Sequence, residues 1–215
     1  ILNLDCDNCR IAMKSCKQPV VSYSVEGNEK ADYYAKNIDL STGFGVFDVY
    51  EKGDKFLFTA QLSVPGMHNV ANALAAICAG RCCSNVSEEA IKSGLLSFTG
   101  VKRRFEKVGV HPTGAQIIDD YAHHPDEILA TLKSAKAVAK GKVICVFQPH
   151  TYTRTKALFN EFVDALTLPD HIILADIYAA REVNTIGISS KDVAVAAPTA
   201  ANLSTNNSNS LEPTL

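Results

Sequence analysis

Between Ala115 and Ala175 the chain alternates short β-branched runs with longer amphipathic ones, an order that few architectures accommodate. Ala115 to Ile118, Lys142 to Phe147 and His171 to Ala175 read as strands. Pro125 to Ala139 and Thr155 to Leu166 read as helices, the first with Pro at its opening turn and Asp126 and Glu127 just behind it. A β-α-β-α-β succession implies right-handed crossovers and a parallel, Rossmann-like sheet, so the expected fold class is α/β. Two polar clusters follow the first two strands, at the edge where open α/β sheets bind ligands. They are Asp119-Asp120-Tyr121-Ala122-His123-His124-Pro125 and Gln148-Pro149-His150-Thr151-Tyr152-Thr153-Arg154-Thr155. Two carboxylates and two imidazoles in one turn are costly to crowd unless a ligand needs them.

The upstream half reads differently. Ile1 to Leu4 predicts a strand, Asp7 to Lys17 a short helix and Pro19 to Ser24 another strand, the pattern of the late part of an α/β sheet. The chain therefore reads as starting mid-domain. Asp32 to Asp39, Gly45 to Tyr50 and Phe56 to Val64 alternate as in an antiparallel meander, with turns such as Lys52-Gly53-Asp54 between them. Pro65-Gly66 breaks the last strand, and Asn69 to Cys83 predicts an Ala-rich helix. Ser87-Glu88-Glu89 opens another, to about Ser97. The pattern changes at Ser97-Phe98-Thr99-Gly100, which divides the chain into 1–97 and 98–195. Residues 196–215, rich in Ala, Asn, Ser and Thr, read as a low-complexity tail with little to bury.

Charge and cysteine content narrow the function. Lys and Arg number 21 against 23 Asp and Glu, with no basic run to track a phosphate backbone, so nucleic acid is an unexpected partner. No apolar stretch approaches the roughly 18–20 residues that span a bilayer, and Ile1-Leu2-Asn3-Leu4-Asp5 does not resemble a signal peptide; a soluble, cytoplasmic protein with no membrane partner is expected. Seven scattered cysteines suit small buried thiols in a reducing compartment. Cys6-Asp7-Asn8-Cys9 has the spacing of a redox or zinc half-site, but with no second pair at zinc-ribbon spacing it reads as structural.

Four groups of residues carry candidate chemistry. Asn69 and Asn72 lie three apart at a helix start, hence on one face, and an Asn amide donates and accepts at once, which suits the N6/N7 edge of adenine. The plainer reading makes Asn69 an N-cap and Asn72 a solvated helix residue. The adjacent Arg103 and Arg104 can meet a polyphosphate or simply form an exposed basic turn. In Asp119 to Pro125, a carboxylate can accept from ribose hydroxyls while an imidazole orients an amine or a carboxylate; the alternative is an Asp N-cap beside a solvated His pair. In Gln148 to Thr155, Arg154 offers a planar fork for a carboxylate with His150 beside it, and helix capping by Thr153 is compatible with that.

These stretches together resemble a family. Pro65-Gly66-Met67-His68-Asn69-Val70-Ala71-Asn72, Gly100-Val101-Lys102-Arg103-Arg104-Phe105-Glu106, the Asp119 and Gln148 clusters, and Asp176-Ile177-Tyr178-Ala179-Ala180-Arg181-Glu182 are similar, in order, to the signatures of the Mur ligases of peptidoglycan synthesis. Among these they resemble the branch that joins L-alanine to UDP-N-acetylmuramate. The murein-tripeptide recycling branch has Phe where Tyr121 stands and lacks the Gln-Pro-His-x-Tyr-Thr-Arg-Thr segment. The resemblance implies a three-domain enzyme using ATP and Mg²⁺ to phosphorylate the muramoyl lactyl carboxylate, which the alanine amine then attacks. By position, Asn69 and Asn72 would hold adenine, Arg104 the ATP phosphates and Asp120 the ribose. Tyr121, His123, His150 and Arg154 would shape the pocket for alanine and the muramoyl carboxylate, His123 and Arg154 being the catalytic candidates. A homodimer is compatible with the resemblance.

The likeness also has gaps. Many members carry Arg where Thr151 stands, so one carboxylate anchor is missing. The uridine-binding domain, the Gly-Lys-Thr phosphate loop and the magnesium ligands that precede this region in the family are absent from the 215 residues, as is the family's final Gly-Ala-Gly-Asp segment. The expectation is a fragment holding the second half of the central ATP-binding domain and most of the C-terminal domain, inactive by itself. Two other readings compete: a non-catalytic adenosine-binding or interaction module, and a metal-dependent hydrolase using Asp119, Asp120, His123, His124 and His150. The hydrolase lacks any His-x-His or His-Glu-x-x-His spacing.

Overall fold

The three alternating runs before Pro65 pair into an antiparallel meander, and two short parallel strands extend it on one side. In the computed structural model, which describes residues 1–197, β1 (Leu2–Asn3), β2 (Ser22–Ser24), β3 (Tyr33–Asp39), β4 (Phe44–Glu51) and β5 (Lys55–Pro65) form one sheet in that spatial order. β1, β2 and β3 run parallel, whereas β4 is antiparallel to both its neighbours. Helix α1 (Asp7–Ser15) makes the crossover from β1 to β2. Asp5 fastens that crossover: its carboxylate accepts from the Ser24 hydroxyl at 2.5 Å and from the Val25 N–H at 2.7 Å.

Helix α2 (Met67–Cys83) covers this sheet. Val70, Ala73, Leu74, Ile77 and Cys78, spaced three and four apart, form its buried stripe. They meet Ala35, Phe47, Val49, Phe58, Ala60 and Leu62, which alternate inward from β3, β4 and β5. The helix begins two residues before the sequence suggests. Its N-cap is Gly66 at φ 98, a region Gly enters without the penalty a Cβ brings. Asn69 thus sits inside the first turn rather than capping it. α3 (Glu88–Ser97) packs beside α2 and is capped by Ser87, whose hydroxyl accepts from the Ala90 N–H at 3.2 Å.

β6 (Glu106–Val110) and β7 (Gln116–Asp119) close an antiparallel hairpin. The strand expected at 115–118 therefore pairs with the segment just before it. The turn residues His111-Pro112-Thr113-Gly114 explain this: the Gly114 N–H donates to the His111 carbonyl and the His111 N–H to the Ala115 carbonyl, both at 2.8 Å. Contacts divide the chain into two compact units, Ile1–Asp120 and Tyr121–Leu215.

The second unit holds α4 (Pro125–Val138), β8 (Ile144–Phe147), α5 (Tyr152–Ala157), α6 (Phe159–Ala165), β9 (His171–Leu174) and α7 (Ser190–Ala196). β8 and β9 run parallel, Ile144 opposite His171 through Phe147 opposite Leu174. Its core joins Ile128 and Leu132 of α4 to Phe147, Phe162, Leu166, Ile172, Leu174 and Val193. The helix expected over Thr155 to Leu166 starts earlier and breaks at Leu158 (φ −114, ψ 30). α7 was not foreseen; Ser189 and Asp192 open it with a capping box. The tail expected at 196–215 lies outside the described residues from residue 198 on. Among the described residues no helix is long and apolar enough to cross a membrane.

Gly45 lets α2 approach the sheet: a Cβ there would stand 2.7 Å from Val70 Cγ2 and 3.4 Å from Leu62 Cδ1. Gly45→Ala is expected to destabilise the protein by about 1–3 kcal/mol through overpacking. Gly109→Ala, where nothing lies within 4 Å, should stay within about 0.5 kcal/mol. Urea titration of both variants checks the contrast, and equal midpoints would refute the close-approach account.

Candidate functional site

The first turn of α2 presents the two candidate amides as a linked pair. The Asn69 amide nitrogen donates to the Pro65 carbonyl at 2.8 Å, which turns its oxygen toward Asn72, whose amide nitrogen lies 3.4 Å away. Asn69 is thus held by the end of β5, while the Asn72 contact sits at the weak limit of a hydrogen bond. Both line a cleft of about 460 Å³ whose other walls are apolar, among them Leu62, Val64, Ile91, Leu95 and Phe98. Apolar walls with a few polar groups are the usual composition of small-molecule sites.

In the same unit the basic turn has an unusual backbone. Arg103 and Phe105 hold φ values of 59 and 49 and Gly100 holds 99. Non-glycine residues in this region cost on the order of 1–3 kcal/mol and persist where surroundings over-determine them. Two carboxylates do so here: Glu106 accepts from the Arg103 N–H at 2.7 Å, and Asp120 from the Phe105 N–H at 2.8 Å. Asp120 therefore ties the end of β7 to the turn that carries Arg104. Nearby, His68 is exposed by area, yet atoms crowding its ring hold its pKa below the ordinary value by desolvation, with the Asp120 charge opposing.

The second unit opens with Tyr121, half of its surface exposed, set edge-on to the His123 ring with centroids 5.4 Å apart. His123 Nδ1 lies 3.0 Å from the Tyr121 carbonyl and 3.5 Å from the Glu127 carboxylate. Its neighbour has a different task. His124 is the N-cap of α4: its Nδ1 accepts from the Asp126 N–H at 3.3 Å, while Glu127 reaches back to the N–H groups of His123 and His124 at 3.1 and 3.3 Å. The N-cap that the alternative reading gave to an Asp is thus a histidine, which explains one of the two crowded imidazoles.

The turn after β8 is organised by a residue far along the chain. Glu182 accepts from the Thr151 hydroxyl at 2.7 Å, from the Thr153 N–H at 2.9 Å and from the Thr153 hydroxyl. These bonds, the Thr153 hydroxyl first and its N–H second, hold the Glu182 pKa down at about 2. Thr153, for which capping of α5 was the plainer reading, instead has its own N–H met by this carboxylate. His150 stacks on Tyr178 with centroids 5.4 Å apart and planes 17° from parallel, and Arg154 Nη1 donates to the His150 carbonyl at 3.2 Å. The structure therefore brings together Asn69 with Asn72, the turn of Arg104 with Asp120 through the Phe105 N–H, Tyr121 with His123, and His150 with Arg154. Glu182 and Tyr178 had no assigned role, although both lie in the Asp176 to Glu182 motif. Among the described residues no group of three or more His, Cys, Asp or Glu side chains is placed to hold a metal ion, so the hydrolase reading gains no support.

A mixed-sheet unit and a unit built on a parallel strand pair, with these motifs in this order, match known domains. The model of the Mur ligase middle domain matches residues 1–80, and that of the Mur ligase, glutamate ligase domain, matches 103–208. The chain belongs to the Mur ligase family. The UDP-N-acetylmuramate–L-alanine ligase of Caldicellulosiruptor saccharolyticus is 44% identical over 193 residues, 90% of this chain and 42% of that protein. The enzyme of the same name from Lachnospira eligens is 48% identical over 194 residues, 90% of this chain and 41% of its own length. The crystal structure of UDP-N-acetylmuramate-alanine ligase from Thermotoga maritima superposes with a TM-score of 0.62 at 34% identity, covering 74% of this chain and 34% of that one. The chain thus spans about two fifths of the length of the curated relatives it matches.

Because Glu182 titrates near 2 in the folded protein against an ordinary value of 4.5, its contribution to stability is complete above pH 4.5 and is lost as pH falls through 2. The melting temperature of the wild type should therefore fall more steeply over that window than that of Glu182→Gln, which has no charge to lose. Thermal unfolding followed by circular dichroism at stepped pH reads the difference; parallel curves would show that the carboxylate bonds add nothing.

Proposed function

We propose that the protein to which these residues belong joins L-alanine to the lactyl carboxylate of UDP-N-acetylmuramate, with conversion of ATP to ADP and phosphate, in the cytoplasmic assembly of peptidoglycan precursors. A carboxylate is a poor electrophile, and phosphorylation turns its oxygen into a leaving group that the amine of alanine can displace. The relatives that carry this name support the choice of substrates. One observation carries the nucleotide half of the reading: the Asn69–Asn72 pair at the rim of an apolar cleft. That cleft suits a flat base, with Asn69 as the orienting amide and Asn72 the one that exchanges its long contact for the edge of adenine.

In this reading Arg104 meets the phosphates from the turn that Asp120 and Glu106 hold open, and Asp120 accepts from the ribose. His123 and Arg154 act at the reacting end. Arg154, held to the His150 carbonyl, offers its guanidinium to a carboxylate, while Tyr121 and His150 bound the pocket. Mg²⁺ would supply charge neutralisation at the phosphates, held by residues outside those described here. The gap between the two family matches, 80 to 103, supports a functional junction in the Ser97 to Gly100 segment, with 98–195 as the amino-acid domain.

Asn72→Ala should weaken binding of an adenine nucleotide by about 1–3 kcal/mol, the range for a lost bidentate base contact, read by calorimetry. Unchanged affinity in a folded variant would remove the adenine assignment. Residues 1–215 alone, which contain no Gly-Lys-Thr loop, should bind adenosine weakly and release no phosphate; alanine-dependent turnover by them would mean that other residues do the chemistry.

In the full-length enzyme, Arg154→Lys should raise the KM for L-alanine far more than that for ATP, because an ammonium point charge does not reproduce the planar fork. Steady-state kinetics in both substrates decide it. Equal effects on the two KM values would make Arg154 a structural residue.

A further inference from the structure

Cys6 and Cys9 stand apart from every group used so far. The Cys6 carbonyl accepts the first helical bond of α1, from the Arg10 N–H at 3.0 Å, so Cys6 is the N-cap and Cys9 the third helical residue. By helix geometry, positions three apart have Cα atoms about 5 Å from each other, inside the range of roughly 4.4–6.8 Å that disulfides take. Both thiols are free and half-buried, and the Cys6 backbone is extended (φ −94, ψ 122), as an N-cap requires.

The two sulfurs are not equivalent. Cys6 makes no side-chain cap hydrogen bond, and the Cys9 N–H and thiol are the polar groups that act on its sulfur. That polar contact, the Cys9 N–H first, draws the Cys6 pKa below its ordinary value, while the same contact with Cys6 raises that of Cys9. One thiol is thus disposed to ionise beside one disposed to keep its proton. The supporting turn is held by hydrogen bonds. The Asn3 side chain accepts from the Asp5 N–H at 2.9 Å, and Arg10 donates to the Leu4 carbonyl at 2.6 Å and to Asp7. The other cysteines offer controls. Burial pushes Cys78 up to about 12 and Cys145 up to about 11, and Cys16, Cys82 and Cys83 are exposed.

We propose that Cys6 and Cys9 form a reversible dithiol–disulfide site that exchanges with low-molecular-weight disulfides. The Cys6 thiolate attacks one sulfur of the small disulfide, whose S–S bond breaks and releases one thiolate. Cys9 then gives its proton to solvent and its sulfur attacks that of Cys6. The Cys6–Cys9 bond forms and the second small thiolate leaves. Two electrons pass from the protein pair to the small disulfide, which ends as two thiols, and excess small thiol reverses both steps.

The experiment needs only the chain in glutathione buffers of graded oxidation, followed by acid quenching, maleimide alkylation and trypsin. The peptide Ile1–Arg10 contains Cys6 and Cys9 and no other cysteine. It should appear two hydrogens lighter and unalkylated under oxidising ratios and return to the dithiol under reducing ones. In Cys9→Ser the peptide should accumulate glutathione on Cys6, whereas Cys9 in Cys6→Ser should be modified at least several-fold more slowly. The proposal is overturned if the wild-type peptide keeps two alkylatable thiols at ratios that glutathionylate Cys16, Cys82 and Cys83. It is equally overturned if the two serine variants, both folded by circular dichroism, trap glutathione at the same rate.

Discussion

The close seating of α2 on the mixed sheet is the constraint on which the first unit depends. The helix is built from small residues, and the sheet meets it with a glycine: Gly45 leaves room for Val70 where any side chain would collide. Helix–sheet packing this close needs no long apolar side chains to fill a gap, which is why an Ala-rich stretch can be a core helix. It also sets where the helix begins. With Val70 pinned, Gly66 takes up the positive φ that lets the chain turn from β5 into α2, and the first turn carries Asn69 and Asn72 to the rim of the cleft. Packing at Val70 thus fixes the turn that carries both amides.

A single carboxylate has a comparable role in the second unit. Glu182 lies about thirty residues beyond the β8–α5 turn, yet it satisfies the N–H of Thr153 and two hydroxyls of that turn. The start of a helix has donors without intrahelical partners, and here a distant side chain answers them. The turn that carries His150 and Arg154 is consequently held at both ends, by the Tyr178 stack and by Glu182, both from the segment after β9. A site residue on such a turn inherits its position from two strand ends rather than from its own local propensity.

The elements legible in the sequence were those whose signals are local. The meander, α2, α3, α4 and the β8 and β9 strands follow from alternation, capping residues and a Pro at a helix start. What was not legible depended on partners distant in sequence or on backbone conformations no periodicity records. The β6–β7 hairpin shows the first case, since Ala115 to Ile118 looks the same whether it joins a parallel sheet or folds back on Glu106 to Val110. Thr151 is a further instance of the first. From its position it reads as a lost carboxylate anchor, but its hydroxyl donates to Glu182.

The Asp119 to Pro125 crowding also changes meaning once its bonds are known. Four ionisable groups in one turn read as a demand made by a ligand, yet much of that demand is met within the chain. Asp120 accepts from the Phe105 N–H, His124 caps α4, and Glu127 binds the two N–H groups before it. Crowding is therefore weak evidence of a site by itself. The stronger evidence is geometric: after the capping groups are accounted for, an exposed Tyr121 ring stands edge-on to the His123 imidazole, and helix capping requires neither ring to be there. An exposed aromatic buries little and so adds little to folding.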